Sequence, residues 1–272
     1  MKKLVFILIT IFNVIAYVHA ESPFIVIMYD SLTEKEIGAF PPNRKIWSET
    51  VNILKEYDAK AIVLKFFFDI PKPEDELLSK SISAIPTFLQ ACINDNEPSI
   101  NQLDSRFTIK PDKVYRNIIS GKQGWIPSFV ISKNAYDIGF VDIRDANEIP
   151  IIEKYNGKYV KSLYFSVLQY SLPGLQLVNN ELVYKNKKIK LNNYLEMHVN
   201  YPGIDSIKYI PLCDVLNNKI NKNEFYNKIV IIGYDGSNSP TITLTSGQVN
   251  THRVFIYGLY DMYSQLNEGK ID

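Results

Sequence analysis

The sequence predicts an α/β fold: a mainly parallel central sheet with flanking helices and an antiparallel meander insertion. Three observations predict it. First, the apolar runs Phe24–Tyr29, Ala61–Phe68 and Ile229–Ile232 are nearly continuous instead of alternating, as strands buried on both faces of a parallel sheet are. Second, Lys45–Asp58 lies between the first two runs, with Trp47, Val51, Leu54 and Tyr57 at helical spacing. Strand, helix and strand in that order make a βαβ unit with a right-handed crossover. Third, residues 175–191 hold three short apolar segments separated by Asn- and Lys-rich turns, and such short connections join antiparallel strands.

The elements follow in chain order. Residues 1–20 read as a secretory signal peptide: Lys2 and Lys3, an apolar run from Leu4 to Val18, then Ala20 at the cleavage position. That run is broken by Thr10 and Asn13 and falls short of the ~20 residues that span a bilayer. Cleaved export, to the periplasm or the medium, is the expectation, and a retained N-terminal anchor is its alternative. Residues 21–272 then form one extracellular domain with no integral membrane segment. Pro73–Ile82 reads as a helix with Glu74, Asp75 and Glu76 in its first turn, where they complement the dipole. Residues 92–125 read as a polar, irregular excursion, and Pro127–Ser132 and Asp137–Val141 as strands. Val160–Tyr170 reads as a helix, Leu195–Tyr201 as a strand, Pro211–Leu216 as a short helix and His252–Gln265 as a closing helix.

Charge excludes one class of function. Without Lys2 and Lys3 the chain holds 28 basic and 29 acidic residues, a net charge of −1, so no basic field for nucleic acid exists. Two soft thiols are too few for a structural metal centre of the usual kind. Cys92 and Cys213 form either one disulfide, as an oxidising compartment permits, or two buried free thiols. No G-x-S-x-G elbow, Walker loop, G-x-G-x-x-G or H-E-x-x-H stands in the chain. His198, inside an apolar segment, and His252, at the start of the last helix, read as structural.

Ligands of open parallel sheets bind beyond the carboxyl ends of the strands. Those ends carry Asp30, Ser31, Asp69, Asp235 and Ser237, the candidate ligand-binding residues, with Arg44 to pair an acid or bind an anion. Structural readings stand beside each. Ser31 and Glu34 form a capping box, Asp235-Gly236 is a turn dipeptide, and Asp69 precedes Ile70-Pro71.

The ordered motifs resemble the CHASE domains of the second type. They run from Tyr29-Asp30-Ser31-Leu32, Gly38 and Phe40–Arg44 to Asp58–Phe68 with Pro71, Pro73 and Asp75. Ile138–Asp142, Val199–Gly203, Lys228–Gly233 and Thr245–His252 follow in the same order. The resemblance covers nearly all of residues 24–265. The chain departs from it at Lys65, where the family has an acid. It departs again at Phe40-Pro41-Pro42, in place of a Trp-Pro-Trp-like turn, and at Asp145–Glu148, in place of an Asp-Gly-Arg-like turn. The resemblance implies a non-enzymatic extracellular sensory or ligand-binding module, without cofactor, of the kind attached to cyclases and histidine kinases. Its partner would be a small ligand or an envelope or membrane signalling protein. The rival readings are a metal-dependent hydrolase built on the strand-end Asp residues, and an envelope interaction or structural protein.

Overall fold

The computed structural model describes residues 22–201, 207–244 and 247–267. The segment read as a signal peptide lies outside them, as do Pro202, Gly203 and Thr245 of the family-like motifs.

The chain begins with β1 (Phe24–Asp30), α1 (Ser31–Ile37), α2 (Arg44–Glu56), β2 (Ala61–Leu64), α3 (Asp75–Ile82) and β3 (Thr87–Ile93). Next come β4 (Thr108–Ile109), β5 (Ser120–Gly121), β6 (Gly124–Trp125), α4 (Phe129–Ser132) and β7 (Asp137–Phe140). The middle of the chain supplies β8 (Glu148–Pro150), β9 (Ile152–Tyr155), β10 (Lys158–Lys161) and α5 (Leu163–Ser171). The meander is β11 (Gln176–Val178), β12 (Glu181–Tyr184) and β13 (Lys187–Lys190), followed by β14 (Glu196–His198). Last are β15 (Ile210–Pro211), α6 (Leu212–Leu216), β16 (Ile229–Asp235), β17 (Thr241–Leu244), β18 (Gly247–Asn250) and α7 (Thr251–Asn267).

Six strands pair in parallel in the order β15, β1, β16, β2, β3, β7. Successive side chains of a strand point to opposite faces, and the core divides accordingly. Val26, Met28, Val63, Phe88 and Ile231 face α5, α7 and the meander. Ile27, Tyr29, Ile62, Leu64 and Ile232 face α2, α3, α4 and α6. Both faces are therefore dry, which is why these strands read as continuous apolar runs. Helix α5 approaches β7 so closely that a Cβ on Gly139 would lie 2.2 Å from Leu163 Cα.

The structure corrects several expectations. Pro127–Ser132 is not a strand: the Ser128 carbonyl accepts from the N–H groups of Ile131 and Ser132, starting the turn of α4. Ala61–Phe68 leaves the sheet after Leu64. Val160–Tyr170 is divided at Ser162, whose hydroxyl caps α5 by accepting from Phe165 N–H at 3.2 Å. The excursion at 92–125 contributes the short strands β4, β5 and β6. Cys92 and Cys213 are free thiols, not a disulfide. Cys92 lies on β3, whereas Cys213 lies on α6 beside edge strand β15, with β1, β16 and β2 between. At ~4.8 Å per strand that gap far exceeds the ~7 Å a disulfide tolerates.

Candidate functional site

The strand-end residues separate into distinct local arrangements. Asp30 and Asp235 are register partners on β1 and β16, and each is engaged. Asp30 is the N-cap of α1: its Oδ1 accepts from Thr33 N–H at 2.9 Å and Thr33 Oγ1 at 2.8 Å. The cap is therefore Asp30, and Ser31 is the exposed first residue of the helix. Asp235 Oδ2 accepts from Arg253 Nε at 2.8 Å and Nη2 at 2.5 Å, and its Oδ1 from Asn250 Nδ2 at 3.0 Å. Exposed Ser237 gives its N–H to Glu34 Oε2 at 3.0 Å, while Tyr234 OH donates to Glu34 Oε1 at 2.7 Å. Those donors, Tyr234 first, hold the Glu34 carboxyl below its ordinary pKa.

Arg44 is joined to Asp75. Its Nε meets Asp75 Oδ1 at 2.8 Å, its Nη2 donates to the Ile70 carbonyl at 3.1 Å, and its guanidinium lies 4.6 Å over the Phe68 ring. This brace fixes the loop between β2 and α3. The Asp69 carbonyl accepts from Asn101 Nδ2 at 2.6 Å. Asp69 also borders a groove of about 320 Å³ that includes Phe67, Glu97 and Trp125.

Beyond the carboxyl ends of β2, β3 and β7 lies a buried ionisable cluster that the motif reading missed. Lys65 follows β2 and is 8% exposed. Its Nζ donates to Gln90 Oε1 at 2.8 Å and lies 5.1 Å from the centroid of Phe255. Burial pushes this ammonium down to about 8. Asp142, two residues past β7, accepts from Ile93 N–H at 2.9 Å, and burial raises its pKa. Glu153 on β9 is fully buried, and its two oxygens have no hydrogen-bond partner among the described residues. Burial first, and then the Asp142 charge, lift Glu153 well above the ordinary carboxylate range. It therefore keeps its proton beside the Asp142 charge. Burial and Lys65 hold the His252 imidazole neutral, and its Nδ1 lacks a partner among the described residues. Cys92 is pushed up to about 12, again mainly by burial. A thiol so protonated is not a nucleophile near neutrality.

The signals for this cluster were single polar letters inside apolar segments: Lys65 before three Phe, Gln90 in Phe-Leu-Gln-Ala, and Glu153 after three Ile-rich positions. One prediction arises here. Above the ordinary carboxylate pKa, unfolded chain releases the Glu153 proton and folded chain retains it, so this group lowers stability as pH rises. Glu153→Gln cannot titrate and keeps nearly the same shape. Its stability relative to the parent is expected to improve between pH 5 and pH 8, read by urea unfolding at each pH; an unchanged difference would contradict the assignment.

A cleft of about 440 Å³ opens at the same end of the sheet, between the segment following β3 and the β9–β10 hairpin. Tyr155 reaches it from the face of β9 that also carries Glu153, two residues earlier. Its hydroxyl lies 2.9 Å from Ser99 Oγ, which also accepts from Gly124 N–H at 2.7 Å. Gln123 Oε1 accepts from Ser99 N–H at 2.7 Å.

Fold and site together define an α/β module with a dry, two-faced parallel sheet and its ionisable interior beyond the strands' carboxyl ends. The chain belongs to the CHASE2 family: the model of the CHASE2 domain matches residues 11–265. CHASE2 is an extracellular sensory domain family. No curated protein and no solved structure matches the chain. Among the described residues no helix is long and apolar enough to cross a membrane.

Proposed function

We propose that the protein is a non-enzymatic, extracytoplasmic sensory or ligand-binding module, periplasmic or secreted. The CHASE2 match over residues 11–265 carries this reading. The interior chemistry supports it: Cys92 is held as a thiol, and His252 is buried and neutral. The metal-hydrolase reading would need Asp30 and Asp235 as free ligands, yet one caps α1 and the other pairs with Arg253. A signal would enter beside the cleft and be felt along β9 at the Glu153–Asp142 pair. Fusing alkaline phosphatase, which folds only in an oxidising compartment, to the C-terminus of the full chain in a bacterial host tests the location. Phosphatase activity in intact cells is expected. An inactive fusion that accumulates in the cytoplasm would overturn the proposal.

A further inference from the structure

The 440 Å³ cleft has the size of a small-molecule site, for which ~300–1,000 Å³ is usual. Its lining contains no carboxylate and two ammonium groups, Lys122 and Lys158. They come from separate elements, the β5–β6 connection and the first position of β10. Neither Nζ makes an ion pair or hydrogen bond among the described residues. Lys154 adds a third positive charge in the adjoining depression, which shares Lys122 with the cleft. Asp95 also lines that depression, where its Oδ1 accepts the backbone N–H groups of Lys122 and Gln123, both at 2.7 Å, and its charge offsets one of the three lysines. In a chain of nearly balanced charge, three lysines along one edge are a local positive field.

The floor of the cleft is rigid and its walls are adaptable. Asn101 Nδ2 holds the Asp69 and Ile126 carbonyls at 2.6 and 2.9 Å, and the Ser99 network fixes Tyr155 and Gln123. The side chains of Gln102 and Asn156 on the rim have no hydrogen-bond partner among the described residues. Preorganised polar groups bind with less lost freedom, and free amides match hydroxyl groups as both donors and acceptors.

We propose that this cleft binds a small polyhydroxylated anion, its carboxylate or phosphate lying between Lys122 and Lys158 and its hydroxyls against Gln102, Asn156 and Tyr155. The proposal rests on the ligand-binding reading above and names the ligand's class. Isothermal titration of the full chain would use glucuronate and glucose 6-phosphate as the two anionic probes and glucose as the neutral one. Binding of at least one anion, with no heat from glucose, is expected. Glucuronate alone would assign the charged group as a carboxylate, and glucose 6-phosphate alone as a phosphate. The Lys122→Gln/Lys158→Gln chain should bind that probe about tenfold more weakly, as expected on losing a charge-assisted contact. Circular dichroism would confirm that this variant is folded, since both lysines are exposed. Absence of heat from every probe, equal binding of glucose, or unchanged affinity in the double variant would overturn the assignment. None of these results bears on the phosphatase fusion, so location and ligand class stand or fall separately.

Discussion

Replacing Arg44 with Ala is expected to lower the stability of the domain by about 3–5 kcal/mol, the range for stranding one member of a buried ion pair. The Arg44 and Asp75 side chains are 9% and 5% exposed. Without Arg44, Asp75 retains two neutral donors, Lys72 N–H at 3.1 Å and Ser128 Oγ at 3.0 Å. They do not balance a buried charge. The Ile70 carbonyl and the Phe68 ring lose their partner in the same step. Arg44→Met with Asp75→Leu removes both charges together, and most of the loss should then return, since well-packed apolar pairs replace buried ion pairs at little cost. Urea unfolding with an unchanged m-value would report both variants. A loss below about 1 kcal/mol would assign the pair the weight of a surface contact.

Lys65→Met should have the opposite sign. The ammonium is held near 8 in the folded chain against 10.5 in the unfolded one. Below pH 8 both states carry the proton, and the folded state bears the whole cost of a desolvated cation, about 3 kcal/mol. Between pH 8 and 10.5 the folded chain releases the proton while the unfolded chain keeps it, so parent stability rises with pH. Above that range the penalty is gone. Met fills the same volume without titrating. Its gain is reduced by about 1 kcal/mol for the Gln90 acceptor left unpaired. A net gain of about 2 kcal/mol at pH 7 is expected, shrinking as pH climbs through 8 and turning into a loss of about 1 kcal/mol above 10.5, where only the unpaired Gln90 acceptor remains. A variant that tracks the parent across that window would show that Lys65 titrates normally.

The parts of the fold that were legible are those whose burial is symmetrical. Strands β1, β2 and β16 are enclosed on both faces, so their sequence admits almost no polar residue. Helix α2 buries one stripe, Trp47, Val51 and Leu54, and declares itself by period. Strand β3 did not, because Gln90 and Cys92 interrupt its apolar run to serve the interior cluster. The β9–β10 hairpin was legible and overlooked: Asn156-Gly157, with φ of 46° and 78° at its turn, is the strongest short-range hairpin signal. The candidate site was legible only as a location. That polar groups gather beyond the strand ends follows from the sheet. Which groups share one interior depends on pairings between segments as distant as Lys65, Asp142, Glu153 and His252, and no local pattern encodes those.

The placement of β1 between β15 and β16 also sets the order of assembly. The first strand of the domain has no sheet neighbour until Ile210–Pro211 and then Ile229–Asp235 have been made. Its closure is among the most non-local steps a chain of this length can contain, and such contacts fold slowly. A nascent chain cannot trap β1 early, because its central partner β16 follows it by about 200 residues. Closure of the sheet therefore waits for β16, and a chain cut before Ile229 would retain β1 and β2 with an open seam between them.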